Sequence, residues 1–92
     1  MTFQLKKKLK NRIAVVLNEK AKVHIGKNGL TPAIFSETNN QLAIHELIKV
    51  RFLNNYLTEN LQQDISLISE KTSSQVVDKR GKTVLLYKPR IE

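Results

Sequence analysis

Ninety-two residues, 40% hydrophobic and 26% charged with three Gly and two Pro, predict one ordered domain spanning 1–92 with a single core. Cysteine is absent, which excludes disulfides and thiolate metal sites, and no apolar run approaches the roughly 20 residues of a membrane span. Sixteen Lys and Arg against eight Asp and Glu give a net charge of +8, which suits either a polyanionic partner or a plain solubilising face.

The chain opens Met1-Thr2-Phe3-Gln4-Leu5 and runs straight into lysines rather than an apolar signal core, so a cytoplasmic location is expected. Leu5, Leu9, Ile13, Val16 and Leu17 recur at helical spacing and predict a helix over 3–20, with Lys6, Lys7, Lys10 and Arg12 off the apolar stripe. Residues 1–30 hold eight basic side chains, Lys8, Lys20, Lys22 and Lys27 among them, against Glu19 alone, a net +7; the rest of the chain adds +1. A polyanion would therefore be met through the N-terminal third. Lys22-Val23-His24-Ile25 alternates and stops at Gly26, predicting a short strand.

Thr31 is a good N-cap, Pro32 suits the first helical position, and Leu30 and Phe35 are spaced for a hydrophobic staple, so a helix is expected to run to about Ile44. Over Glu46–Leu53 the period becomes two: Ile48, Val50 and Phe52 face one way, Lys49 and Arg51 the other, as in a strand with one buried and one solvated face. Asn54-Asn55 marks a turn. A third helix over about 58–72 carries the inner stripe Leu61, Ile65, Ile68 and Thr72; strands over 75–79 and 82–88 join through Arg80-Gly81. The order α-β-α-β-α-β-β predicts an α/β domain in which a four-stranded mixed sheet is covered by helices on one face.

Ile25-Gly26-Lys27-Asn28-Gly29-Leu30-Thr31-Pro32 carries the strongest chemical signal. Two glycines around two polar residues let backbone N–H groups approach a ligand, and the loop opens into a helix N-terminus, which favours an anion. Lys27 adds a mobile positive charge, and Asn28 can donate to phosphate or take a left-handed conformation. KH modules clamp nucleotides by this Gly-x-x-Gly logic, although any tight strand-to-helix turn can use the same residues.

Ile25–Thr31, His45-Glu46-Leu47-Ile48-Lys49-Val50 and Val84-Leu85-Leu86-Tyr87-Lys88-Pro89 together closely resemble, in order and spacing, the CRM domain (chloroplast RNA splicing and ribosome maturation), whose stand-alone bacterial form is the YhbY-like family. The resemblance covers about residues 5–90. It implies an RNA-binding fold similar to the C-terminal domain of bacterial translation initiation factor three. It also implies association with precursors of the large ribosomal subunit, with Gly26, Lys27, Asn28 and Gly29 matching the family's RNA-contacting loop. Ala21 departs from a position where the family commonly has proline, and the lysines at 6–8 are this chain's own version of a variable basic helix.

The residues expected to touch RNA are thus Gly26, Lys27, Asn28, Gly29, Lys6, Lys7, Lys10, Arg12, Lys22, Lys49 and Arg51. Lys49 and Arg51 serve equally as ordinary solvated charges, and Lys79, Arg80 and Lys82 either touch RNA or discourage edge pairing. His24 and His45 have no third ligand at metal spacing, and His45-Glu46 reads as a junction anchor. Phe35 and Phe52 fit buried stripes, leaving Tyr56 and Tyr87 as the accessible aromatics, too few for a base-stacking platform. No catalytic residue, metal or cofactor is expected, and a monomer is. The competing readings are a basic adaptor for acidic protein surfaces and a nucleic-acid module without sequence preference.

Overall fold

The structure, a computed structural model, describes residues 2–89, with side chains from residue 8 onward; Lys6, Lys7 and Leu5 of the predicted first helix therefore have side chains outside the described residues. The elements run α1 (Thr2–Leu17), β1 (Val23–Ile25), α2 (Pro32–His45), β2 (Leu47–Phe52), α3 (Leu61–Lys71), β3 (Gln75–Arg80) and β4 (Thr83–Tyr87). The strands form one mixed sheet in the order β1-β2-β4-β3, with β1 parallel to β2 and the other pairs antiparallel. Among the described residues no helix is long and apolar enough to cross a membrane.

Helices lie on both faces of this sheet, which corrects the expectation of one covered face. Val23, Ile25, Ile48, Val50, Phe52, Val84 and Leu86 pack beneath α2 and α3, joined by Leu42, Ile65 and Ile68. On the opposite face Leu47, Leu85 and Tyr87 are buried beneath Leu9, Ile13, Val16 and Leu17 of α1. Lys49 and Arg51 made that face of β2 look solvated, but β4 is apolar on both sides and has to be covered twice. Tyr87, expected to be accessible, is consequently buried. Each fully buried Ile, Leu or Phe contributes roughly 1.5–3 kcal/mol, so burial on both faces of β4 is a substantial source of stability.

The ends of the elements follow local chemistry. The Thr31 hydroxyl accepts from Ile34 N at 3.2 Å, with Pro32 in the first turn of α2. The third helix begins three residues later than predicted because the side chain of Asn60, rather than the Thr58 region, caps it by accepting from Gln63 N at 3.1 Å. Helix α1 stops at Leu17, where Lys49 Nζ reaches across from β2 to donate to Leu17 O at 2.9 Å and Glu19 O at 3.0 Å. No basic residue lies in the last turn of α1, and Lys49 provides from the sheet the cation that a helix C-terminus favours. The final hairpin turns at Gly81-Lys82, with Gly81 at φ +58° and Arg80 still in the strand. An extra residue near Val77 bulges β3 and brings Val77 onto the α1 side.

Candidate nucleic-acid interface

Because β1 and β2 are parallel, the loops that follow them emerge side by side. Gly26–Gly29 closes as a β-turn, Gly29 N donating to Gly26 O at 2.9 Å. The two glycines serve different ends. Gly29 takes φ +76°, a conformation that costs a side-chain-bearing residue about 1–2 kcal/mol. Gly26 instead permits close approach: a Cβ there would stand 3.3 Å from Asn55 Oδ1 and 3.4 Å from Leu53 Cδ1. Asn28, a candidate for the left-handed conformation, does not adopt it, since Gly29 already reverses the chain.

The turn after β2 buttresses this loop. Leu53 N donates to Ile25 O at 2.8 Å and Tyr56 N to Leu53 O at 3.0 Å. A Cβ on Gly29 would touch the Tyr56 ring at 3.9 Å, and that ring leans on Phe52 with centroids 5.1 Å apart. The Tyr56 hydroxyl donates to Asp64 Oδ2 at 2.8 Å, and the Thr58 hydroxyl bonds the same oxygen. Partial burial and then the Asp64 carboxylate push the Tyr56 hydroxyl up to about 12. The sequence marked Asn54-Asn55 only as a turn; its role as a support becomes visible once β1 and β2 are known to be parallel neighbours.

Several backbone donors around the loop remain unpaired. Gly29 N is engaged in the turn, but the N–H groups of Lys27, Asn28 and Ala33 donate to nothing among the described residues. Their residues line a depression of about 810 Å³, together with Gly26, Thr31 and His24 among others. The side chains of Lys27 and Asn28 are exposed. Glu37, which accepts from Gln41 Nε2 at 3.0 Å, adds one opposing charge to the α2 side of the depression. Unpaired donors, a helix N-terminus and a free ammonium together suit an anion held at the loop side.

The other expected residues are dispersed. Lys22 and Arg51 are exposed on β1's approach and on β2. Arg12 lies at the opposite end of the sheet, where its guanidinium pairs with Glu46 Oε1 at 3.2 Å and donates to His45 O at 3.1 Å. Lys10 is exposed on α1 near that same end, roughly 20 Å from the glycine loop by the length of β2. Lys49 is half-buried on the α1 carbonyls. Lys6 and Lys7 have no described side chains. The structure thus assembles Gly26, Lys27, Asn28 and Gly29 into one place, with His24 and the Ala33 N–H added, and leaves the basic helix apart from them.

Fold and loop define a small α/β domain whose glycine turn is propped by a second loop and presents unpaired donors at a helix mouth. The sequence model of the CRS1 / YhbY (CRM) domain matches residues 1–88, and the chain belongs to that family. It is 37% identical over 70 residues to an RNA-binding protein of Haemophilus influenzae, covering 76% of this chain and 70% of the relative. It also superposes, at TM-score 0.71 and 26% identity, on the solution structure of a Staphylococcus aureus protein described as a candidate RNA-binding protein, covering 87% of this chain and 82% of the other.

Proposed function

We propose that the protein binds structured RNA, gripping phosphate at Gly26–Gly29, and that its target is ribosomal RNA in cytoplasmic precursors of the large subunit. One observation carries the phosphate clamp: Lys27, Asn28 and Ala33, whose N–H groups are unpaired among the described residues, line one open depression together with the exposed Lys27 side chain. The names of the relatives favour RNA over other polyanions. The large-subunit destination follows the family resemblance. Half-buried Tyr56 and buried Tyr87 leave no aromatic platform among the described residues, which favours recognition by backbone and shape over base stacking. The protein acts by binding, with no chemistry on the RNA, and as a monomer.

Salt titration tests the clamp. Four to six phosphate contacts at roughly 0.7–0.9 each give a log–log slope of about −3 to −5, and a slope near zero would end the electrostatic reading. Crosslinking in cells followed by sequencing tests the destination. Reads concentrated on large-subunit ribosomal RNA are expected; reads spread evenly over messenger RNA would remove that part of the proposal.

A further inference from the structure

We infer that a cationic row across the uncovered end of the sheet, His24–Arg51–Thr83–Arg80, continues the phosphate track from the glycine loop to helix α1. The inference rests on the RNA-binding reading above and extends it to a surface outside the loop.

Strand register puts these residues side by side. His24 pairs with Arg51 across β1–β2, Arg51 with Thr83 across β2–β4, and Thr83 with Arg80 across β4–β3. Alternation along β2 sets Arg51 on the face of Leu47 and Lys49, the side that α1 covers. Helix α1 covers Leu47, Leu85 and Tyr87 but leaves this last row open: His24, Arg51 and Arg80 are exposed and Thr83 is half-buried. The row is therefore a strip of one residue from each strand, carrying two guanidiniums, a hydroxyl and an imidazole.

Both ends of the strip are continuous with basic or donor-rich surface. At one end His24 also lines the depression of the glycine loop. At the other, a groove of about 470 Å³ runs between Ala14, Leu17 and Asn18 of α1 and Lys49, Thr83 and Arg80 of the sheet. The row thus carries the donor surface of the loop across the sheet to the C-terminal end of α1, where Asn18 lines the groove. Three strand spacings of about 4.8 Å give roughly 14 Å of strip. That length is enough to follow a short run of successive phosphates on one strand. The acidic groups near this path include Asp78, which accepts from Arg80 Nε at 3.3 Å, Glu37 at the loop end, and exposed Glu19, whose backbone carbonyl Lys49 reaches beside the groove. The Asp78 pair engages only Nε of a guanidinium whose side chain is 68% exposed, so the other Arg80 donors face solvent.

The test compares three variants of the full chain with the parent on an RNA hairpin of about 30 nucleotides and on a single strand of about five, which can fill the loop alone. Arg51→Gln with Arg80→Gln should weaken hairpin binding by about tenfold, lower the salt slope by about 1.4–1.8, and leave the short strand unaffected. Arg51→Lys with Arg80→Lys should restore the slope; equal loss with Lys and Gln would attribute the effect to packing and overturn the row. An unchanged affinity and slope in the Gln variant would overturn it directly. Lys27→Asp with Asn28→Asp separates the two readings. Loss in that variant alone leaves the clamp and removes the row, whereas loss in the Arg pair alone removes the clamp and keeps the row. Circular dichroism melting of each variant confirms that folded proteins are compared.

Discussion

The two ends of β2 carry similar polar chemistry and use it in opposite ways. At the Leu47 end the groups are satisfied within the protein: Arg12 bonds Glu46 and His45 O, Lys88 N donates to Glu46 O at 2.8 Å, and Glu46 N donates to Leu42 O at 2.8 Å. At the Phe52 end the backbone turns twice, through Gly26–Gly29 and Leu53–Tyr56, and leaves the Lys27 and Asn28 N–H groups unpaired among the described residues. A count of charges does not separate these ends; a count of satisfied donors does. Arg12 belongs to the most basic third of the chain, yet it holds α1 to the junction between α2 and β2.

The comparison can be broken most forcefully at the loop. Changing Lys27 and Asn28 together to Asp should weaken RNA binding by tenfold to several hundredfold, since each lost charge-assisted contact is worth roughly 1.5–3 kcal/mol before repulsion. Thermal melting should be nearly unchanged, because both side chains are exposed and acidic groups are favourable near a helix N-terminus. A folded double variant that shifts RNA mobility like the parent would reduce the loop to a turn. Next, Gly29→Val places a β-branched side chain at φ +76° and should cost about 1–3 kcal/mol in urea unfolding. Lys49→Met removes two bonds to the carbonyls ending α1 and should cost about 1–2 kcal/mol; no loss would mean that those carbonyls are equally well served by water. Arg12→Gln should cost less, about 0.5–1 kcal/mol, because the pair it breaks is partly exposed.

The smallest effect is a pH dependence. The Tyr56 hydroxyl is held neutral in the folded protein up to about 12, against 10.0 for a free tyrosine. The stability linked to the neutral hydroxyl, through its burial first and its bond to Asp64 second, is therefore fully present below pH 10 and is lost as pH rises through about 12. Melting followed across that window should fall more steeply for the parent than for Tyr56→Phe; equal slopes would show that Asp64 does not depend on this hydroxyl.

Much of the architecture was legible because local signals agreed with one another. Thr31-Pro32 announced α2, the Leu61–Ile65–Ile68–Thr72 stripe announced the inner face of α3, and period two announced β2. The placement of α1 was not legible. Val84 to Tyr87 is one apolar run that does not say which of its two faces a helix will take, while Lys49 and Arg51 pointed to open solvent. At the site, the glycine loop could be read because Gly is tied to backbone geometry. The fates of Arg12 and Lys49 could not, since the carbonyls and carboxylate they reach are 30 or more residues away in sequence. A similar separation in sequence hid Tyr56 beneath Gly29 and His24 beside Arg51.

The double covering of β4 also sets an order of assembly. Two of the three buried side chains beneath α1, Leu85 and Tyr87, belong to the last strand. As the chain leaves the ribosome from its N-terminus, α1 is synthesised first but has almost no apolar surface to dock on until β4 has emerged and paired. Its leucines and isoleucine stay exposed through most of synthesis, and a chain halted before residue 83 would carry a basic amphipathic helix with nowhere to lie. The first element made is the last to be secured.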